Sequence, residues 1–100
     1  LEAAKVLLRE FVAKTATEEK VIYYELTLNG DEIFCREAYA GAEGVLAHLT
    51  NVGAVLDKML ALSTLTRLEV HGPATELEKL KVPLGGLKPI WYLYECGVKR

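Results

Sequence analysis

Cysteine is scarce in this sequence: the 100 residues hold two, Cys35 and Cys96, far apart and in apolar, strand-like surroundings. So sparse a pair makes no disulfide framework, and no CxxC or Cys/His cluster marks a zinc site. Two buried free thiols are expected instead, and with them a cytoplasmic location. A basic patch is missing too. Twelve Lys and Arg against 14 Asp and Glu leave a net charge of −2, with the signs mixed along the chain. Nucleic-acid binding needs a basic stripe, and Lys99 with Arg100 is too short to be one. No apolar run approaches the ~18–20 residues that span a bilayer, so no membrane partner is expected, and no signal peptide shows. Gly85-Gly86 lacks the spacing of a phosphate loop. There is no GxSxG nucleophile elbow and no carboxylate–histidine spacing for a metal. No cofactor and no metal are expected.

What is present is a globular composition, 51% hydrophobic and 26% charged, of the size of one domain. Residues 1–100 are read as that single domain. Leu1 to about Thr17 reads as an amphipathic helix, with Ala4, Leu7, Leu8, Phe11 and Val12 at three- and four-residue spacing. The polar stretch Thr15 to Lys20 ends it. Val21–Leu28 is a predicted strand, rich in β-branched and aromatic residues. Asn29-Gly30 is a hairpin signal, because both residues tolerate the positive φ of a type I′ turn. Ile33–Tyr39 returns, with Ile33, Cys35, Glu37 and Tyr39 on one face and Phe34, Arg36 and Ala38 on the other.

Ala42 to Leu62 is a long predicted helix with an apolar arc of Val45, Leu49, Val52, Val55, Leu56, Met59 and Leu60. Gly44 and Gly53 each weaken it by about 1 kcal/mol relative to Ala, which predicts a break or bend near residues 51–53. Leu65–His71 is a third strand. Pro73 opens a short helix that Pro83 and Gly85-Gly86 end. Ile90–Glu95, with Trp91, Tyr92 and Tyr94, is the last strand. This order is the second half of a split βαβ pattern. It predicts an α+β, ferredoxin-like fold: an antiparallel sheet with helices on one face. The strand that should precede the first helix is missing: either a piece precedes Leu1, as a start at Leu rather than Met suggests, or the C-terminal strand fills that slot.

Several segments carry a family resemblance: Tyr23-Tyr24-Glu25-Leu26, Asn29-Gly30-Asp31, Cys35-Arg36-Glu37-Ala38-Tyr39, Ala47-His48-Leu49 and Leu68-Glu69-Val70-His71-Gly72-Pro73. From about residue 4 to residue 96 the chain resembles the antibiotic biosynthesis monooxygenase-like proteins. The resemblance implies a dimeric α/β barrel with a pocket between sheet and helices in each subunit. Some members oxidise polycyclic aromatic or quinol substrates with dioxygen and no metal or flavin. Others degrade haem. The haem branch fits poorly, because Asp57 and Lys58 stand where its iron-binding histidine lies.

Periodicity singles out candidate site residues. His48 lies within the apolar arc of the long helix and should face the sheet, where a neutral imidazole acts as base or proton shuttle. The alternative is a core histidine bonded to a neighbour. Glu37 shares an otherwise apolar strand face with Cys35 and Tyr39, so its carboxylate needs a partner. Tyr24 and Tyr39 are candidate pocket residues beside it. Asn51, at the edge of the helix stripe, either caps a break or points into the cavity. Trp91 is a further pocket candidate, with core or dimer interface as the bland alternative. His71 reads as a strand-end surface residue. The function the family resemblance implies is cofactor-independent oxidation of an aromatic or quinol-type small molecule, with His48 or Glu37, placed on buried faces by periodicity, taking a proton. The alternative is a non-catalytic dimer that binds a small apolar ligand or is purely structural. A homodimer is expected because one sheet face carrying residues such as Phe34 needs cover.

Overall fold

The computed structural model describes residues 1–100. The chain divides into two compact units, residues 1–64 and 65–100, where the sequence predicts one domain over its whole length. Both are α+β.

The first unit is α1 (Glu2–Thr15), β1 (Val21–Asn29), β2 (Glu32–Tyr39) and α2 (Ala42–Leu62). Gly30, at φ 61°, turns the hairpin, as the Asn-Gly pair requires. β1 and β2 pair antiparallel with Tyr24 opposite Glu37, Leu26 opposite Cys35 and Leu28 opposite Ile33. Strand side chains alternate between faces, so these six share one face. Tyr24 and Ile33 pack from it onto the core. A register shift lies between Val21 and Tyr23. Ile22, which shares its parity with Tyr24, Leu26 and Leu28, is 65% exposed beside it, as a local bulge re-aims a side chain.

The core joins Ala4 and Phe11 of α1 to Val52, Val55 and Met59 of α2. A two-stranded hairpin is marginal alone, and the two helices supply the apolar cover it needs. The buried line of α2 runs through Gly44, His48, Val52, Val55 and Met59. Of the expected arc, Val52, Val55 and Met59 are buried, whereas Val45, Leu49, Leu56 and Leu60 are only half-buried. The predicted break at residues 51–53 is absent: α2 is one helix from Ala42 to Leu62. Val52 and Val55, each 1% exposed, pin both sides of Gly53, and burial of roughly 1.5–3 kcal/mol per side chain outweighs the glycine's cost. By length and composition α2 is also apolar enough to cross a bilayer, contrary to the expectation that no segment is; in this fold its buried line packs in the core of the first unit.

The second unit is β3 (Glu69–Gly72), α3 (Ala74–Leu84), a single 3₁₀ turn (Gly85–Leu87) and β4 (Ile90–Leu93). β3 and β4 pair in parallel, with Val70 opposite Trp91 and His71 opposite Tyr92. The expected antiparallel sheet is therefore found only in the hairpin, and the molecule has two two-stranded sheets. Parallel strands need a crossover, and α3 is that crossover, burying Leu77, Leu80 and Leu84. Pro83 sits inside its last turn rather than ending it. Cys96 is exposed, not buried as expected, while Cys35 is half-buried; both are free.

Candidate active site

The site lies in the first unit and is centred on His48, 5% exposed on the buried line of α2. Its Nδ1 donates to Glu18 Oε2 at 2.9 Å. Its Nε2 lies 3.8 Å from Glu37 Oε1, beyond hydrogen-bonding distance. The rings of Tyr24 and Tyr39 flank the imidazole at centroid distances of 5.2 and 5.1 Å, both tilted.

Glu37 is held from the strand side. Tyr39 donates its hydroxyl to Oε1 at 2.7 Å, and Cys35 donates its thiol to Oε2 at 3.0 Å. Tyr24 bonds in turn to Cys35. The period of two in β2 makes this possible, because residues 35, 37 and 39 point the same way and Tyr24 stands opposite Glu37. Burial raises the pKa of Tyr24, Cys35 and Tyr39 above the ordinary values, and the neighbouring Glu37 carboxylate raises each further. All three stay protonated donors at neutral pH.

Glu18 comes from the turn that closes α1. Thr17 N–H donates to Lys14 O at 3.1 Å and Glu18 N–H to Thr15 O at 3.0 Å, which folds the chain back over the helix end. Helix-terminal carbonyls lack intrahelical donors. Besides the Thr17 N–H and hydroxyl, Asn51 adds a donor from α2, bonding to Lys14 O at 2.8 Å and to Glu18 Oε2 at 3.0 Å. Neither a break cap on its own helix nor a cavity-facing amide, Asn51 ties α2 to the end of α1. Glu18 is 8% exposed at the side chain, and its Oε1 is buried with no donor of the protein in reach.

The structure thus brings together His48, Glu37, Tyr24, Tyr39 and Asn51 from the sequence candidates. Trp91 lies on β4 of the second unit, half-buried opposite Val70. His71 is exposed at its strand, 2.9 Å from Glu69 and stacked on Tyr92 at 4.5 Å. Sequence reasoning misses Glu18 and places it in a polar helix-ending stretch. One surface Glu beside another carries no periodic signal, and only the fold of the turn buries it.

Two surface clefts border the cluster. One, of about 230 Å³, is lined by Glu18, Glu19, Lys20, Gly44 and Ala47. The other, of about 190 Å³, is lined by Val12, Thr15, Ala16, Val21, Tyr23 and Tyr24. Neither has His48 or Glu37 in its wall. In chemical terms the cluster is a buried imidazole between two carboxylates, ringed by weak acids. Such a set takes up, holds and returns protons.

No protein-family model matches the chain, and no curated protein matches it. Among solved structures, the chain is similar to the crystal structure of MupZ from Pseudomonas fluorescens, with a TM-score of 0.94 and 39% identity. The similarity covers 100% of this chain and 78% of that one.

Proposed function

Because the chain belongs to the family that includes MupZ from Pseudomonas fluorescens, and because the polar cluster around the buried His48 lies within the matched length, we propose that it is a small acid–base enzyme. The observation that carries this is the Glu18–His48–Glu37 set, with the imidazole 5% exposed between two carboxylates. A histidine oriented through Nδ1 by a carboxylate is the arrangement that lets an imidazole system accept a proton and stabilises the cation formed. Proton transfer by a positioned group contributes about 10²–10⁴-fold to a rate.

The substrate class we propose is an aromatic or quinol-type small molecule with an acidic proton, consistent with the resemblance to antibiotic biosynthesis monooxygenase-like proteins. Removal of that proton leaves an electron-rich anion. In the oxidising version of this reading, a ring CH₂ and O₂ give C=O and H₂O, dioxygen being the oxidant. The reading also includes a cytoplasmic protein acting as a homodimer in the dimeric α/β-barrel manner. Its support is the outer hairpin face, where Phe34 is 57% and Tyr23 43% exposed; a two-fold partner would cover such a face with its own.

The test is a panel of anthrones and hydroquinones in D₂O, followed by oxygen uptake and by deuterium incorporation at the acidic carbon. Turnover is expected in the wild type, with a fall of about 10²–10⁴-fold in His48→Ala. A wild-type protein that neither exchanges nor consumes oxygen across the panel overturns the reading. Two observations favour the alternative of a non-catalytic ligand-binding or structural protein: both Glu37 oxygens are hydrogen-bonded, and neither cleft reaches His48. On that reading His48→Ala changes stability and no reaction rate.

A further inference from the structure

We propose that Glu37 is the catalytic residue through which this site is reached: it takes the proton of a substrate hydroxyl and passes it to His48 Nε2. The inference rests on the acid–base reading above and names the group that touches the substrate. Accessibility within the set is uneven. The side chains of His48 and Glu18 are 6% and 8% exposed, whereas that of Glu37 is 36% exposed. Of the three, Glu37 is the one that a molecule arriving from water can touch. Neither surface cleft includes Glu37 in its wall, so the approach is to the strand face of β2 itself.

The hydrogen bonds leave a place for that proton. His48 Nδ1 donates to Glu18 Oε2 at 2.9 Å. In the neutral imidazole the other nitrogen, Nε2, is then an acceptor. It lies 3.8 Å from Glu37 Oε1, which is also an acceptor. Two acceptors side by side form no bond, and one proton delivered to either makes the pair a charge-assisted hydrogen bond. Glu37 keeps room for a substrate as well. An ionised carboxylate offers about four lone-pair positions. Tyr39 takes one on Oε1 and Cys35 takes one on Oε2. The other polar groups of this face do not compete for the proton, because Tyr24, Cys35 and Tyr39 are held protonated, chiefly by burial.

The step is a proton transfer in two stages. The substrate O–H bond breaks, an O–H bond forms on Glu37, and the pair of electrons stays on the substrate oxygen as an alkoxide or phenolate. The proton then leaves Glu37 Oε1 for His48 Nε2, where an N–H bond forms and the carboxylate is restored. Closing the 3.8 Å gap to hydrogen-bonding distance takes about 1 Å of movement. Glu18, bonded at Nδ1, is the counter-charge of the imidazolium. Nothing is oxidised or reduced.

The test titrates hydroquinone and 1,4-dimethoxybenzene, the same ring with and without hydroxyl donors, into isotopically labelled wild-type protein by NMR. Hydroquinone is expected to shift the Glu37 carboxyl carbon and the Tyr39 ring signals, while dimethoxybenzene leaves them in place and the Val52 and Val55 methyl signals stay fixed with both. This measurement needs no variant. Glu37→Gln keeps an acceptor oxygen and removes the base. It is expected to bind hydroquinone still and to lose turnover by about 10²–10⁴-fold. Glu37→Asp, which keeps a carboxylate, is expected to retain more turnover than Glu37→Gln. Equal binding of both compounds, no shift at Glu37 with either, or wild-type turnover in Glu37→Gln overturns the assignment. The two readings fail separately. If turnover survives in Glu37→Gln and is lost in His48→Ala, Glu37 is not the route and the acid–base reading stands; if the wild type turns over nothing, the acid–base reading falls and this assignment falls with it.

Discussion

Tyr24, Cys35 and Tyr39 surround one carboxylate, and that has a consequence at alkaline pH. Each has its pKa raised, chiefly by burial, and then by Glu37 for Cys35 and Tyr39 and by Cys35 ahead of Glu37 for Tyr24. The folded chain therefore holds these protons more tightly than the unfolded chain, whose values are 9.0 for the thiol and 10.0 for the phenols. Their contribution to stability is fully present below about pH 9 and is lost as pH rises past the unfolded values towards the folded ones. Urea unfolding between pH 7 and 11 should show a stability that falls above about pH 9, and the fall should be smaller in Tyr39→Phe. A flat profile across that range contradicts the account. Asn51 gives a second prediction. Asn51→Ala removes donors from both Lys14 O and Glu18 Oε2 and should cost about 1–3 kcal/mol in unfolding free energy. A loss under about 0.5 kcal/mol, as on an open surface, would show that the tie between the helices is idle.

Within α2, two glycines make opposite demands on the same helix. Gly53 has open space where a Cβ would stand, whereas a Cβ on Gly44 would press on Tyr39 and on Lys20. Gly53→Ala should stabilise by about 1 kcal/mol through helix propensity. Gly44→Ala gains the same propensity and still loses, by about 1–3 kcal/mol of overpacking. Chemical denaturation of both variants checks the pair, and equal signs would mean that the contact at Gly44 relaxes freely. The elements themselves were largely legible. The hairpin, both long helices and the alternation that puts Cys35, Glu37 and Tyr39 on one face follow from period and turn chemistry. The continuity of α2 was not legible, because local propensity argues for a break and only the burial of Val52 and Val55 overrides it. The pairing of β3 with β4 was not legible either, since four-residue strands carry little periodic signal about which neighbour they join.

At the scale of the molecule, the outer hairpin face is the feature that asks for a partner. Tyr23 and Phe34 lie there, with Glu25 and Arg36 paired between them at 3.5 Å. If a second copy covers it, light scattering at micromolar concentration should report twice the 11.1 kDa chain mass, and Phe34→Asp should halve that value by burying a charge in the contact. A wild-type monomer at that concentration removes the homodimer from the proposal.

The sequence by itself determined the elements, because helix and strand periods and the Asn29-Gly30 turn act over a few residues. It also determined that His48 faces inward and that Glu37 shares a face with Cys35 and Tyr39. Only the tertiary structure decided that Glu18 is the carboxylate His48 meets. Glu18 and His48 stand 30 residues apart, and nothing local distinguishes Glu18 from the exposed Glu19 beside it. The turn after α1 and the Asn51 bond across to it bury the side chain of the one and leave the other in water.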